Sequence, residues 1–88
     1  MKVLVFSKKD ISVIEENYLK DFYNTLQRDN YDVVSVDTEE VDGIAKAEIY
    51  DIYSTPSVVV TTNEGLFIQG WKGEIPPLSE VKYYLFTI

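Results

Sequence analysis

Apolar positions at the start of the chain follow first the spacing of a strand and then the spacing of a helix. Lys2 to Ser7 (KVLVFS) is a short apolar run rich in β-branched residues, which predicts a central strand buried on both faces. Ser12 and Glu15 then match the S-x-x-E pattern that caps a helix N-terminus. Behind this cap, apolar side chains recur at helical spacing as far as Arg28, at Ile14, Tyr18, Leu19, Phe22, Tyr23 and Leu26.

The middle of the chain repeats this alternation. Asp32 to Asp37 (DVVSVD) predicts a second strand, which lies parallel to the first because a helix connects them. A second helix is predicted from Glu39 to Tyr53, although Gly43 weakens its first turn by about 1 kcal/mol relative to alanine. The apolar side of this helix is expected to consist of Val41, Ile44, Ala45, Ile49 and Ile52.

The last third of the chain predicts a hairpin and a final helix. Ser57 to Thr62 and Leu66 to Lys72 read as antiparallel strands, joined by a turn in which Gly65 supplies a positive φ. Pro76 and Pro77 suit the first turn of the last helix. The order βαβ then ββα predicts an α/β fold, a four-stranded mixed sheet flanked by three helices, in one domain over residues 1–88.

Composition shows what must stabilise this domain. The chain has no cysteine, so packing has to supply nearly all the stability. We expect large contributions to the core from aromatic side chains, which bury the most area per residue. The expected contributors are Tyr18, Phe22, Tyr23, Tyr50, Tyr53, Phe67 and Trp71.

The net charge of −7 argues against binding to nucleic acid or to an anionic membrane, since both attract lysine and arginine. The acidic cluster Asp37, Glu39, Glu40 and Asp42 fits either a solvated helix start or a surface for a basic partner. The N-terminal apolar run is too short for a signal peptide, and no run approaches the roughly 20 residues of a membrane span. We therefore expect a cytoplasmic protein.

A local motif adds a family resemblance. Ser54-Thr55-Pro56 stands directly before an apolar strand, and Gly73 follows the proline 17 residues later. Together with the order of elements, this resembles the short, glutaredoxin-sized form of the thioredoxin-like superfamily. The resemblance implies a cis Thr55–Pro56 bond, next to a backbone edge that binds extended peptides or glutathione. It implies a binding groove built from Ile11, Ser12, Val13, Thr55, Pro56, Lys72 and Gly73.

The chain departs from the superfamily where its redox chemistry belongs. The Cys-x-x-Cys motif would lie between the first strand and first helix, at about residues 11–14, which here are Ile-Ser-Val-Ile. Without a thiolate, disulfide exchange is excluded. The absence of histidine removes Ser–His and Cys–His nucleophiles and the usual zinc sites. We therefore expect no catalytic residue, no metal and no cofactor, and we favour a binding protein over an enzyme.

Three single residues or pairs leave alternatives open. Ser12 is explained by helix capping, but a serine near this position steadies glutathione in some glutathione transferases. Lys8 and Lys9 belong to a solvated loop or contact an anionic group such as a carboxylate. Trp71 either packs under the last helix or lies exposed as an interface anchor.

Three functions follow from these features. The first is a non-catalytic binding or assembly module that takes a protein or an extended peptide. The second is a glutathione-binding or glutathione-transferase-like protein that uses Ser12, although residues 70–73 lack the Gly-Gly-x-Asp of glutaredoxins. The third is a structural protein that forms a homodimer through the apolar outer strand Leu66 to Lys72.

Overall fold

The computed structural model describes residues 1–86, which form the predicted elements in the predicted order. The strands are β1 (Lys2–Ser7), β2 (Asp32–Asp37), β3 (Ser57–Thr61) and β4 (Phe67–Trp71), and the helices are α1 (Val13–Arg28), α2 (Val41–Ile49) and α3 (Leu78–Phe86). The sheet order is β2-β1-β3-β4. Strand β1 runs parallel to β2 and antiparallel to β3, which pairs antiparallel with β4. The predicted mixed sheet with three helices is confirmed.

The sheet separates two apolar clusters. On one face, α1 and α3 cover the sheet, and Phe22, Leu26 and Val81 pack on Val3 and Val58. On the other face, α2 and the segment after it cover the neighbouring positions, with Ala47 and Ile52 packed on Leu4, Phe6, Val36 and Val59. All five residues of β3 are buried, because this central strand is covered on both faces.

Helix α1 begins as predicted but packs through a narrower stripe. The Glu15 backbone N–H donates a hydrogen bond to Ser12 Oγ at 3.2 Å, which satisfies one of the free donors of the first turn. Packing against the sheet starts at Leu19 and continues through Phe22 and Leu26. Ile14 is 83% exposed, so its expected place in the core is wrong: the first turn of α1 lies beyond the packed cluster.

Helix α2 is shorter than predicted and packs through a different side. Of the expected apolar side only Ile52 is buried; Val41, Ile44, Ala45 and Ile49 are exposed, Val41 to 82% and Ile49 to 70%. The buried residues of α2 are Gly43 and Ala47. A Cβ on Gly43 would lie 1.8 Å from the backbone O of Asp37, so only glycine allows this close approach to the end of β2. The small residues therefore face the sheet and the large ones face solvent.

The end of α2 is set by the backbone and not by the apolar pattern. Asp51 has a positive φ of 55°, a conformation that does not continue a helix. Ile52 then reaches the core from the returning segment. The apolar spacing that continues to Ile52 therefore comes from two elements, α2 and the loop after it, which pack into the same core.

The aromatic residues divide between core and surface. Phe22 and Trp71 are buried, and Tyr23 and Tyr50 are half-buried. Tyr18, Tyr53 and Phe67 are exposed, which corrects the expected core. The ring of Phe67 lies over Gly70, where a Cβ would come within 3.0 Å of it. Phe67 thus covers part of β4 while remaining 53% exposed.

The predicted hairpin turn is present, with Gly65 at φ 91°. The Tyr50 hydroxyl donates a hydrogen bond of 2.6 Å to the Gly65 carbonyl, which fastens this turn to the end of α2. Within residues 1–86, no helix combines the length and apolar character needed to cross a membrane.

We expect Gly43→Ala to destabilise the fold by about 2 kcal/mol. Alanine favours a helix over glycine by about 1 kcal/mol, but overpacking typically costs about 1–3 kcal/mol. Here the cost lies at the upper end of that range, because the obstructing atom is backbone, which cannot rotate away. Urea unfolding measures the difference. Lys46→Ala, an exposed change in the same helix, should stay within about 0.5 kcal/mol of the parent. A Gly43→Ala protein as stable as the parent would contradict the close approach.

A single ion pair joins the C-terminal end of α1 to α3. Lys82 Nζ lies 2.6 Å from Asp29 Oδ2. The hydrogen bond from Lys82, its charge and that of Arg28 hold the pKa of Asp29 below its ordinary value of 3.8. Since the folded state binds this proton less tightly than the unfolded state, the pair adds stability above pH 3.8 and loses it as pH falls through the lowered pKa.

We therefore expect Lys82→Gln to lower the melting temperature at pH 7 and to lose this effect in acid. Lys20→Gln is the matched control, because it removes the same charge from an exposed lysine that makes no ion pair within residues 1–86. Thermal melts from pH 7 to pH 2.5 should show the two variants converging below pH 3.8. A constant difference across this range would show that the effect of Lys82 does not depend on the charge of Asp29.

Candidate functional site

Four loops meet at one end of the sheet. Strand register pairs Phe6 with Ser57 and Ser7 with Asp37, so the loops after β1 and β2 start beside the segment that leads into β3. Trp71 pairs with Val58, which brings the loop after β4 to the same end. We call this the groove end of the sheet. The residues of the predicted groove lie in these loops, except Val13, which is the first residue of α1.

The segment before β3 is fastened by the buried hydroxyl of Ser57. The Thr55–Pro56 peptide bond is cis, and both residues are half-buried. Ser57 Oγ donates a hydrogen bond of 2.7 Å to the Ser54 carbonyl and accepts one of 3.0 Å from the Gly73 N–H. This hydroxyl therefore holds the loop with Pro56 against the loop after β4.

Gly73 fits this junction for two reasons. Its φ is 79°, which side-chain-bearing residues rarely adopt, and a Cβ there would lie 3.1 Å from Ser54 Oγ. Sequence reasoning placed Gly73 in the groove but missed Ser57. The available signal was a small hydroxyl residue at the start of a strand that is otherwise apolar (SVVV).

We expect Ser57→Ala to destabilise the protein by about 1–3 kcal/mol, because it leaves the Ser54 carbonyl and the Gly73 N–H without their partner. The measurement is urea unfolding, with exposed Ser79→Ala as the control. Amide hydrogen exchange at Gly73 should accelerate in Ser57→Ala and not in Ser79→Ala. Unchanged protection at Gly73 would show that the hydroxyl is not what holds the two loops together.

Apolar side chains lie at the start of α1 and just before it. Val13 is 71% exposed, while Ile11 is half-buried. Ile11 lines a cavity of about 320 Å³ between α1 and the β2 side of the sheet, with Leu19, Tyr23 and Ser35. Thr55, Pro56 and Gly73 are not among the residues that line this cavity. Ile11 thus shares the groove end with Thr55 and Pro56 but lines a cavity to which these two residues do not contribute.

Ser12 and Lys9 are both engaged within the chain. Ser12 Oγ accepts the Glu15 N–H, which is the capping role. Lys9 Nζ lies 3.7 Å from Asp37 Oδ2, and the Lys9 N–H donates to Glu39 Oε1 at 3.3 Å. Lys8 is exposed and lines a cavity of about 260 Å³ that also holds the carboxylates of Glu16 and Asp37. The negative charge of these carboxylates weakens the attraction of Lys8 and Lys9 for an anionic ligand.

Trp71 is part of the core, whereas the next residue, Lys72, lies at the surface. Trp71 is buried, its ring 5.7 Å from that of Tyr84, and its Nε1–H donates to Glu80 Oε2 at 3.1 Å. It packs under α3, so the interface-anchor alternative is wrong. Lys72 is exposed and makes no ion pair within the described part of the chain. It is the free cation of the predicted groove.

The groove end is described by the groups that it presents. The sequence has neither cysteine nor histidine. Among residues 1–86, no group of three or more acidic side chains is placed to hold a metal ion. The described part of this end offers exposed apolar surface at Val13, a loop junction fixed by the Ser57 hydroxyl, and two exposed lysines without an ion pair, Lys8 and Lys72.

A comparison with solved structures identifies the fold of this chain. Thioredoxin 1 from the thermophilic eubacterium Thermosipho africanus TCF52B matches with a TM-score of 0.73, over 97% of this chain and 90% of that chain, at 16% sequence identity. This chain has a thioredoxin-like fold. No family model and no curated protein matches its sequence.

The thioredoxin-like fold confirms the resemblance seen in the sequence and sharpens the departure from it. Residues 11–14, Ile-Ser-Val-Ile, occupy the loop and first helical positions between β1 and α1, where the redox motif of the superfamily belongs. The chain thus has a thioredoxin-like fold without the cysteine sulfur atoms that disulfide exchange requires.

Proposed function

We propose that this protein is a redox-inactive binding module whose groove end docks an extended segment of a partner protein. The observation that carries the proposal is the exposed Val13 at the start of α1, beside loops whose geometry Ser57 fixes. Exposed apolar side chains at a site from which the thiols are absent favour an apolar ligand over a redox substrate.

The backbone supports an extended ligand in particular. Pro56 precedes β3 and has no N–H, so Thr55 is the last residue before the strand that can offer a backbone N–H donor at this end. Pairing of an extended peptide with such an edge supplies main-chain hydrogen bonds, while side-chain contacts supply the specificity. Val13 and Pro56 would provide the apolar contacts, and Lys72 would favour an acidic residue in the ligand.

Fixed loops also favour binding. The Ser57 hydroxyl holds the segment with Thr55 against the loop with Gly73 before any ligand arrives. Because these loops need not be ordered at the moment of binding, less of the interaction free energy is lost.

Two other functions have less support. For a glutathione enzyme, Ser12 Oγ already accepts a backbone N–H, and Lys9 faces carboxylates of its own chain. For a homodimer through β4, the exposed Leu66 and Phe67 are favourable, but the register shift between Val60 and Thr61 interrupts the ladder beside them. Bulges of this kind blunt the edges of sheets.

The test is selection from a displayed library of random heptapeptides, followed by affinity measurements on variants. We expect apolar extended peptides to be selected, and Val13→Asp to weaken them at least tenfold by placing a charge in the apolar contact. Leu66→Asp is the control, since Leu66 is comparably exposed but lies at the opposite, hairpin end of the sheet.

Two results would contradict the proposal. One is a library that yields no peptide dependent on the native fold. The other is a set of peptides that bind the Val13→Asp protein as tightly as the parent, which would place the binding surface elsewhere.

A further inference from the structure

Helix α2 carries a second exposed apolar surface, on the face of the sheet opposite to α1. Val41, Ala45 and Ile49 follow one another at four-residue spacing, and all three are exposed. Ile44 borders them and is about half exposed. Because residues four apart lie on one face of a helix, these side chains form a continuous row, which we call the α2 stripe.

The orientation of α2 makes this stripe unusual. Isolated exposed apolar residues are normal on any protein. In α2, however, the small residues Gly43 and Ala47 face the sheet, while valine and isoleucine face solvent. The Gly43 contact with the Asp37 carbonyl holds the helix in this orientation. Burial within this chain therefore does not account for the apolar character of the stripe.

Carboxylates border the stripe. Residues 39–51 contain Glu39, Glu40, Asp42, Glu48 and Asp51 against the single cation Lys46. Of these, Glu40, Asp42 and Glu48 are exposed and form no ion pair within residues 1–86. The surface around the stripe is therefore both apolar and strongly negative.

We propose that the α2 stripe binds a basic amphipathic helix of a partner protein. Its apolar row runs along a helix axis, and such a ridge packs into the groove between side chains of a second helix. Lysine or arginine on the borders of that second helix would lie beside the unpaired carboxylates. The apolar row supplies the attraction, and the charges select the partner.

Charge also separates this partner from two others. A second copy of the chain would bring the same acidic border against itself, and like charges facing each other oppose association. An anionic lipid surface would repel the stripe for the same reason. Neither objection applies to a basic helix.

The α2 stripe is distinct from the proposed groove. Helix α2 packs on the face of the sheet opposite to α1 and α3. Val13, at the start of α1, therefore belongs to the other side of the molecule. The two surfaces lie on opposite faces of the sheet, so a copy with both occupied would hold two partners together.

The experiment uses isotope-labelled full-length protein and a synthetic 18-residue helical peptide. The peptide has a seven-residue repeat with leucine at the first, fourth and fifth positions and lysine at the others, so that its leucines lie on one face of the helix. A counterpart with glutamate in place of lysine and vesicles of phosphatidylcholine with phosphatidylserine are the other two probes. Amide chemical shifts locate the contact, and titration gives the affinity.

We expect the leucine–lysine peptide to shift the amides of residues 41–49. The double variant Val41→Ser/Ile49→Ser should weaken it at least tenfold, and the triple variant Glu40→Gln/Asp42→Asn/Glu48→Gln should weaken it severalfold and reduce its dependence on salt. Ile14→Ser with Glu15→Gln and Glu16→Gln is the matched control, since it makes the same kinds of change on α1 and should leave the affinity unchanged.

Several outcomes would overturn the proposal. They are no binding at millimolar peptide, equal binding of the glutamate peptide, shifts that map to α1, and equal loss of affinity in the α1 control. Binding to the vesicles through residues 41–49, or concentration-dependent dimerisation that Val41→Ser/Ile49→Ser abolishes, would assign the stripe to a lipid surface or to a second copy instead.

Discussion

The contact between Gly43 and the carbonyl of Asp37 determines much of the α2 side of this molecule. A helix that touches a strand end through glycine lies closer to the sheet than any side chain would allow. Ala47, one turn later, continues the same shallow contact. With so little space below the helix, the large apolar residues of α2 have no room inside. The core on this side is completed by Ile52 and Tyr50, which come after the helix.

The groove end depends on a different kind of interaction. There a single buried hydroxyl joins two loops that are distant in the sequence, and both of its hydrogen bonds are to backbone groups. Backbone partners do not change when surface residues change. The architecture of this end therefore does not depend on which side chains the neighbouring loops present. In this chain the scaffold is present and cysteine is not.

The sequence predicted those features that depend on residues close together in the chain, and it failed where a feature depends on a residue of another element. The bounds of β1 and β2 were predicted to the residue, since a run of β-branched side chains between charged residues has one interpretation. Ser12 was predicted as a cap because capping is a local interaction. The apolar side of α2 was wrong because periodicity reports which residues are apolar and not how close the helix lies. That distance was set by Gly43, whose effect depends on Asp37, a residue of another element.

The same limit applies to the candidate site. The loops at the groove end were predicted from a resemblance, and the strand register accounts for their meeting. The role of Ser57 could not be predicted, because its two partners lie in loops whose approach depends on the whole sheet. The engagement of Lys9 with Asp37 was missed for the same reason. A pattern along the chain identifies the residues of a site, whereas their partners follow from the topology.

The position of Trp71 gives the protein a built-in optical reporter. It is the only tryptophan, it is buried between β4 and α3, and its indole N–H is bonded to Glu80. The wavelength of its fluorescence therefore reports whether α3 is seated on the sheet, without any added label. The ring of Tyr84 lies 5.7 Å away, close enough for excitation of tyrosine to pass to this single acceptor. Any event that lifts α3 from β4, whether local or global, therefore changes both signals.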